Sequence, residues 1–210
     1  MNVLVIAPHP DDETLGCGGT LCIHAEKGDQ ISVAFLTSGE LGLKHLPREE
    51  AWSIREAEAR RAAAILNLEH ISFLRCSDWM LAEEITKAAS LLRPVLKDQQ
   101  PQLIYLPHPE DDHPDHRAAL PILRSALEGL GLPNLRLRFY EVWTPLAKFE
   151  TVQDITSAMD RKLRALGEHK SQLEQFDYVR AITGLNSYRG ALAAKSKFAE
   201  VFGEPVDFKY

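Results

Sequence analysis

Short apolar runs alternate with longer segments of helical periodicity along almost the whole chain. This alternation predicts an α/β fold, a mostly parallel sheet with helices on both faces. Right-handed crossover connections favour the doubly wound strand order 3-2-1-4-5. The predicted strands are 3–7, 31–36, 71–74, 103–106 and 135–142, and the predicted helices are 14–27, 48–67, 81–98, 115–128, 154–173 and 187–202.

The chain of 210 residues is long enough for one well-buried core, and no repeat, low-complexity run or linker divides it. We therefore expect a single domain over residues 1–210. The formal net charge of −6 argues against a nucleic-acid partner, because no basic face stands out to neutralise phosphates.

Signals for membrane insertion or export are absent from the sequence as given. No apolar run approaches the length that spans a membrane, and no basic segment precedes an apolar stretch at the start. Cys17, Cys22 and Cys76 cannot all pair and show no CxxC spacing, which favours a reducing compartment. We therefore expect a cytoplasmic protein without a membrane span.

Two polar clusters follow predicted strands at the point where each strand ends. The segment 8–13 (Pro-His-Pro-Asp-Asp-Glu) follows the first strand, and the segment 108–116, which holds three histidines and four acids, follows the fourth. The predicted strand order makes these two strands neighbours at the topological switch point, where open α/β sheets bind ligands. The sequence therefore predicts one metal site divided between two loops.

The donors available for that site are His9, Asp12, His113 and His116. Two imidazoles, a carboxylate and an open position suit a hydrolytic Zn²⁺. The same set suits a non-haem Fe(II) oxygenase, although those sites are usually built on all-β scaffolds. One such motif alone is typical of capping and turn residues, but two motifs on adjacent loops favour a metal.

The neighbouring acids and imidazoles suggest how the work is divided. Asp11 and Asp12 adjoin, so one can bind metal while the other accepts a proton from the attacking water. Similarly, one of His113 and His116 can bind metal while the other faces the substrate. Asp115 lies between these histidines, where its carboxylate can keep an imidazole protonated.

Together the two motifs resemble the signature of the PIG-L/LmbE-like family of zinc-dependent N-acetylglucosaminyl deacetylases. The likeness covers nearly the whole chain and includes segments 16–20, 37–40 and 162–172. The resemblance implies hydrolysis of the N-acetyl group of an N-acetylglucosamine-type sugar, with Zn²⁺ or another divalent metal such as Fe²⁺. It implies a small-molecule substrate and a homo-oligomer. The implied residues are His9, Asp12 and His116 as zinc ligands, Asp11 as general base, and His113 as the electrophilic or acidic group oriented by Asp115.

The substrate pocket is predicted more coarsely than the metal site. Arg55 lies on the apolar stripe of its helix and is expected to bind substrate or anchor a loop, held by Glu58 one turn on. Asp111 and Asp78 are further pocket candidates, although Asp78-Trp79 stands where the family often has Asp-Gly. Trp79 is expected either as a sugar platform or as a core aromatic.

Besides the oxygenase, two alternative functions remain open from the sequence. One is a deacetylase or amidase for a different N-acyl small molecule. The other is a Rossmann-like nucleotide-binding module, but the spacing of Gly16, Gly18 and Gly19 departs from G-x-G-x-x-G and instead indicates close helix packing. Outside the motifs, Lys162 is expected on an exposed helix face, and His108 is expected to be structural.

Overall fold

A computed structural model describes residues 1–132 and 134–205. Five parallel strands form its main sheet, and β6 and β7 form a separate antiparallel pair. The strands are β1 (Asn2–Ala7), β2 (Gln30–Thr37), β3 (His70–Cys76), β4 (Leu103–Pro107), β5 (Arg136–Tyr140), β6 (Thr151–Asp154) and β7 (Ala199–Phe202). The helices are α1 (Asp12–Glu26), α2 (Arg48–Leu66), α3 (Ile85–Gln99), α4 (Pro114–Leu127), α5 (Met159–Leu166), α6 (Lys170–Leu173) and α7 (Tyr178–Arg189).

The order of the main sheet is β3-β2-β1-β4-β5, which confirms the predicted topology. Because β1 pairs in parallel with β4, the loops that follow these two strands leave the same edge of the sheet side by side. Both polar clusters lie on these loops. The topology therefore brings together segments that are about a hundred residues apart in the sequence.

The central strand β1 is apolar on both of its faces, as a strand covered by helices on each side must be. Leu4 and Ile6 pack into a core shared with α3 and α4. Val3 and Val5 point the other way, into a core shared with α1. The alternation of side chains along one strand thus fixes both hydrophobic layers that hold the loops in place.

The last third of the chain departs from the prediction. The predicted helix 187–202 is wrong over its second half, because Ala199–Phe202 is a strand paired with Thr151–Asp154. The predicted helix 154–173 is divided into α5 and α6 by a break after Leu166. Short apolar runs do not distinguish a buried strand from a buried helix by periodicity, which explains the error.

Lys162 is fully buried, so the prediction of an exposed lysine is wrong. Its Nζ donates to Glu200 Oε1 at 2.7 Å, to Asn186 Oδ1 at 2.9 Å and to the carbonyl of Leu15 at 2.8 Å. The Glu200 carboxylate in turn accepts the backbone N–H groups of residues 19 and 20 within α1. This ion pair therefore ties α5, α7 and β7 to the helix that begins at the polar cluster.

The glycines of α1 allow the close packing expected from their spacing. A Cβ on Gly16 would lie 2.2 Å from Cδ2 of Tyr140, and one on Gly19 would lie 2.8 Å from Ile155.

Among the described residues, no helix is both long and apolar enough to cross a membrane. Cys17, Cys22 and Cys76 are free and buried. Pro133 and residues 206–210 lie outside the described part of the chain.

We expect Lys162→Met to lower the free energy of unfolding by about 3–5 kcal/mol, because it leaves the buried Glu200 carboxylate unpaired. Urea or guanidinium unfolding measures this change. Lys97→Met, on the exposed side of α3, is the matched control and should change stability little. A loss in the Lys162 variant no larger than the control's would show that this ion pair does not hold α1 in place.

Candidate metal centre

The loops after β1 and β4 bring three imidazoles into contact. The ring centroids of His9 and His113 are 4.7 Å apart, those of His113 and His116 are 4.7 Å apart, and those of His9 and His116 are 5.4 Å apart. Each ring can offer a nitrogen within 4.8 Å of the others, which is a group that could hold a metal ion. His9 precedes α1, His113 caps the N-terminus of α4, and His116 lies in the first turn of α4.

Asp12 lies between two of these rings. Its Oδ2 is 3.3 Å from His9 Nδ1, and its Oδ1 is 3.3 Å from His116 Nε2. His116 is fully buried, and its Nε2 has no hydrogen-bond partner among the described residues. A buried ring nitrogen without a partner, beside a carboxylate and a second imidazole, fits the donor set of a divalent metal.

A second group of donors shares His9. Its Nε2 lies 3.1 Å from Asp78 Oδ1 and 3.2 Å from Asp115 Oδ2. Asp115 also accepts the backbone N–H groups of Trp79 and Leu81, and Asp78 Oδ2 accepts that of Leu41. If Nδ1 of His9 binds a metal, Nε2 is the nitrogen that faces away from it. Carboxylates bonded to that outer nitrogen usually orient a metal ligand rather than hold a second ion.

The contacts of Asp115 differ from the predicted ones. Its carboxylate contacts His9, whereas its backbone N–H donates to His113 Nδ1 at 3.2 Å. Because Nδ1 accepts, the proton of the neutral His113 ring resides on Nε2. Burial, together with the nearby His9 and His116 rings, lowers the pKa of His113 to about 4. The Asp115 carboxylate therefore bonds to His9 and not to the His113 ring that it was expected to hold.

Asp111 supports His116 instead of lining the cavity. Its Oδ1 is 2.9 Å from His116 Nδ1 and accepts the backbone N–H of His113, and its Oδ2 accepts the backbone N–H groups of Trp143 and Thr144. Only 1% of Asp111 is exposed, and both oxygens are used within the protein. This placement replaces its predicted role as a pocket residue with the orientation of His116.

Asp11 faces the cavity from a strained backbone, with a φ of 145° that non-glycine residues rarely adopt. Arg55 Nη2 donates to Asp11 Oδ2 at 3.2 Å and to the Pro10 carbonyl at 2.6 Å, and Nη1 donates to the Gly39 carbonyl. Burial raises the pKa of Asp11 to about 7, against the opposing effect of Arg55. Arg55 therefore anchors two loops and orients Asp11, which agrees with the loop-anchoring alternative.

Two neighbouring acids also have partners that the sequence did not define. Glu13 Oε2 accepts the backbone N–H of Asp11 at 3.3 Å, so this glutamate supports the strained residue. Glu58 accepts the backbone N–H and the hydroxyl of Ser171, at 2.8 and 2.7 Å. The predicted pairing of Glu58 with Arg55 is replaced by this contact with α6.

The surrounding carboxylates stabilise positive charge on the imidazoles of the centre. Burial alone lowers the pKa of His9, but Asp115, Asp12 and Asp78 together raise it well above its ordinary value. His116 is similar: burial lowers its pKa, whereas Asp12 and Asp111 raise it to about 9. A divalent cation bound among these carboxylates would supply positive charge at the same place.

A cavity of about 610 Å³ opens onto Asp11, Asp12 and His113. Asp78 and Arg55 lie on its wall, as do four aromatic side chains, those of Trp79, Trp143, Phe176 and Tyr178. Trp79 is half exposed, so the core-aromatic alternative is wrong. Trp143 was not predicted as a site residue, because the predicted strand 135–142 runs up to it, whereas β5 ends at Tyr140. Phe176 and Tyr178 lie between predicted helices, and no motif in the sequence marks them as residues of the site.

His108 and His169 do not belong to the group of candidate metal ligands. His108 Nε2 is 2.7 Å from the Thr144 carbonyl, which supports its predicted structural role. His169, at the start of α6, is fully buried, and neither ring nitrogen has a hydrogen-bond partner among the residues that the structure describes. Burial lowers the pKa of His169 to about 3, so this ring is neutral.

The chain is similar to proteins of a known family. The family model described as PIG-L, GlcNAc-PI de-N-acetylase, matches residues 4–127, more than half of the chain. The chain belongs to the PIG-L family. The predicted resemblance is therefore confirmed, and the matched residues include both polar clusters.

Individual relatives cover most of the chain. A diacetylchitobiose deacetylase of Thermococcus kodakarensis is 30% identical over 195 residues, which cover 82% of this chain and 70% of the relative. A probable N-acetyl-α-D-glucosaminyl L-malate deacetylase 2 of Bacillus cereus is 28% identical over 185 residues, covering 82% and 84%. The crystal structure of a conserved protein from Thermus thermophilus has a TM-score of 0.83 and 32% identity, covering 100% of this chain and 97% of that one.

We expect Asp111→Ala to weaken metal binding by about 10–100-fold, because His116 loses the carboxylate that orients its ring. Competition with a chromophoric zinc chelator measures the dissociation constant. Asp112→Ala removes the adjacent exposed carboxylate and is the matched control. Equal affinities in the two variants would mean that Asp111 does not support a metal ligand.

Proposed function

We propose that this chain is a metal-dependent N-deacetylase that hydrolyses the acetamido group of an N-acetylglucosamine-type sugar. The observation that carries the proposal is the convergence of His9, Asp12 and the unpartnered His116 Nε2 beside Asp11, at one end of an open cavity. The named activities of its relatives support the same reaction. The reaction consumes water and releases acetate and a free amine.

The residues that would hold the metal are His9, Asp12 and His116, and the ion we propose is Zn²⁺, with Fe²⁺ as the other candidate. When bound, zinc polarises the amide carbonyl and lowers the pKa of water toward about 7. Asp111 and Asp115 contact the outer nitrogens of the two imidazoles, at 2.9 and 3.2 Å. They would thereby fix the orientation of both rings.

Asp11 is the proposed general base. Arg55 binds its Oδ2, so we assign Oδ1 to accept the proton from the water that attacks the amide carbon. The strained backbone and the contact with Glu13 hold this carboxylate at the cavity wall while its neighbour Asp12 turns toward the imidazoles. The proton that Asp11 accepts then passes to the leaving nitrogen as the C–N bond breaks.

His113 is the proposed electrophilic group. Its Nδ1 accepts from the backbone of Asp115, so Nε2–H is the hydrogen-bond donor that the ring can offer to substrate. A neutral donor aimed at the carbonyl oxygen stabilises the negative charge that develops there, by about 3–4 kcal/mol. Asp78, on the same cavity wall, remains a proposed sugar contact.

Two further predictions concern the cellular compartment and the oligomeric state. We propose a reducing, cytoplasmic environment, which the three free and buried cysteines support. The homo-oligomer expected from the resemblance stays a prediction. Measuring hydrolysis across a panel of amides distinguishes another N-acyl substrate from an N-acetyl sugar. Measuring oxygen uptake tests for an oxygenase.

We expect Asp11→Asn to lower kcat for acetate release from N-acetylglucosamine conjugates by about 10²–10⁴-fold, because the general base is lost. Metal content, measured on the same preparations, should stay unchanged because Asp11 is not a proposed ligand. Asp160→Asn, at an exposed position on α5, is the control.

Full activity of the Asp11 variant would overturn the general-base assignment alone. The whole proposal would fall if the zinc-loaded wild-type protein released acetate from no N-acetyl sugar.

A further inference from the structure

His169 is a fully buried imidazole without an evident structural role. It stands directly before α6, yet its side chain makes no capping hydrogen bond to that helix. Neither of its ring nitrogens has a hydrogen-bond partner among the residues that the structure describes. Buried polar groups are usually bonded, because leaving them without partners is costly, so this ring requires an explanation beyond packing.

The segment that carries His169 is held against one face of α2 by a contact on each side of the ring. Before it in the chain, Glu168 Oε2 accepts from Arg61 Nε at 2.8 Å. After it, the backbone N–H and the hydroxyl of Ser171 donate to Glu58 at 2.8 and 2.7 Å. Because Glu58 and Arg61 are one turn apart on α2, these contacts hold the intervening His169 against that face of the helix.

Arg55 lies one turn before Glu58 on the same face of α2, and it also has an unused polar atom. Its Nη1 and Nη2 donate to the carbonyls of Gly39 and Pro10 and to Asp11 Oδ2. Its buried Nε has no hydrogen-bond partner in the part of the chain that the structure describes. Only 2% of Arg55 is exposed. The guanidinium is thus fully used at its outer end and left with one N–H donor at the end nearest α2.

Two observations place the His169 ring near this guanidinium. Gly42 lies against both Arg55 and α6, because a Cβ on Gly42 would be 2.6 Å from Arg55 Nη1 and 2.8 Å from Gln172 Oε1. Burial lowers the pKa of His169 to about 3, and among charged side chains Arg55 contributes most to this shift, ahead of Arg61. The neutral ring has one nitrogen that donates and one that accepts, and an acceptor is what the Nε–H of Arg55 requires.

We propose that His169 is a positioning residue for deacetylation, which holds Arg55 by its Nε–H and thereby holds Asp11 at the cavity wall. One buried water molecule bridges the accepting ring nitrogen and this N–H, because the structure shows no direct hydrogen bond between them. A neutral acceptor suits the position, since a cation there would repel Arg55 and a carboxylate would draw it away from Asp11. This inference rests on the proposed function, in which Asp11 is the general base.

The first test compares variants of His169 that keep or lose a hydrogen-bond acceptor. In zinc-loaded His169→Leu, kcat for acetate release from N-acetylglucosamine conjugates should fall about tenfold while KM changes little, because Asp11 loses its fixed position. His169→Asn and His169→Gln carry a carbonyl oxygen near the positions of Nδ1 and Nε2, so at least one of them should retain kcat to within about threefold. His70→Leu, at an exposed position on β3, is the matched control.

The second test asks whether His169 acts through Arg55. Arg55→Lys removes the Nε–H but keeps a cation, and in that background His169→Leu should change kcat by less than about twofold. A residue that only packs would lower kcat by the same factor in both backgrounds. Unfolding midpoints and zinc content, measured on every preparation, show that each variant compared is folded and loaded with metal.

A crystal structure of the wild-type protein tests the contact itself and depends on no variant. It should show one ordered water within about 3 Å of both Arg55 Nε and a ring nitrogen of His169. A ring bonded only to other groups, wild-type kcat in His169→Leu, equal losses in the leucine and both amide variants, or equal factors in the two backgrounds would each overturn this role of His169. Failure of the wild-type protein to release acetate from any N-acetyl sugar would instead overturn the proposed function.

Discussion

A cluster of buried carboxylates that requires positive charge is the constraint on which the site depends. Asp12, Asp78, Asp111 and Asp115 are each 5% exposed or less and contact His9 or His116. Buried negative charges are costly unless they are paired, so the loops adopt this arrangement stably only with protons or a cation among them. The same carboxylates also bind the backbones of the flanking loops, which couples the ion to the shape of the cavity.

The sheet order and the convergence of the two polar clusters could be predicted from the sequence because both follow from local patterns. Apolar runs define the strands, and crossover handedness then places β1 beside β4. The β6–β7 pair and the Lys162–Glu200 ion pair could not be predicted in this way. Each depends on contacts between segments 38 or more residues apart, for which a single sequence carries no periodic signal.

The roles of individual acids were predicted less well than the site itself. Adjacent positions suggested that Asp115 serves His113, but a helix start points the Asp115 carboxylate toward His9 and leaves only its backbone N–H for His113. Likewise Glu58 is one turn from Arg55, yet it bonds to Ser171. Sequence spacing identifies neighbours along a helix, whereas the partner of a buried carboxylate is set by the packing of distant segments.

The position of the metal is the central claim, and anomalous diffraction at the zinc edge tests it directly. Crystals grown with zinc should show one strong peak bounded by His9 Nδ1, Asp12 and His116 Nε2, with Asp11 and His113 facing the cavity beside it. A peak among His9 Nε2, Asp78 and Asp115, or no peak near these rings, would contradict the account.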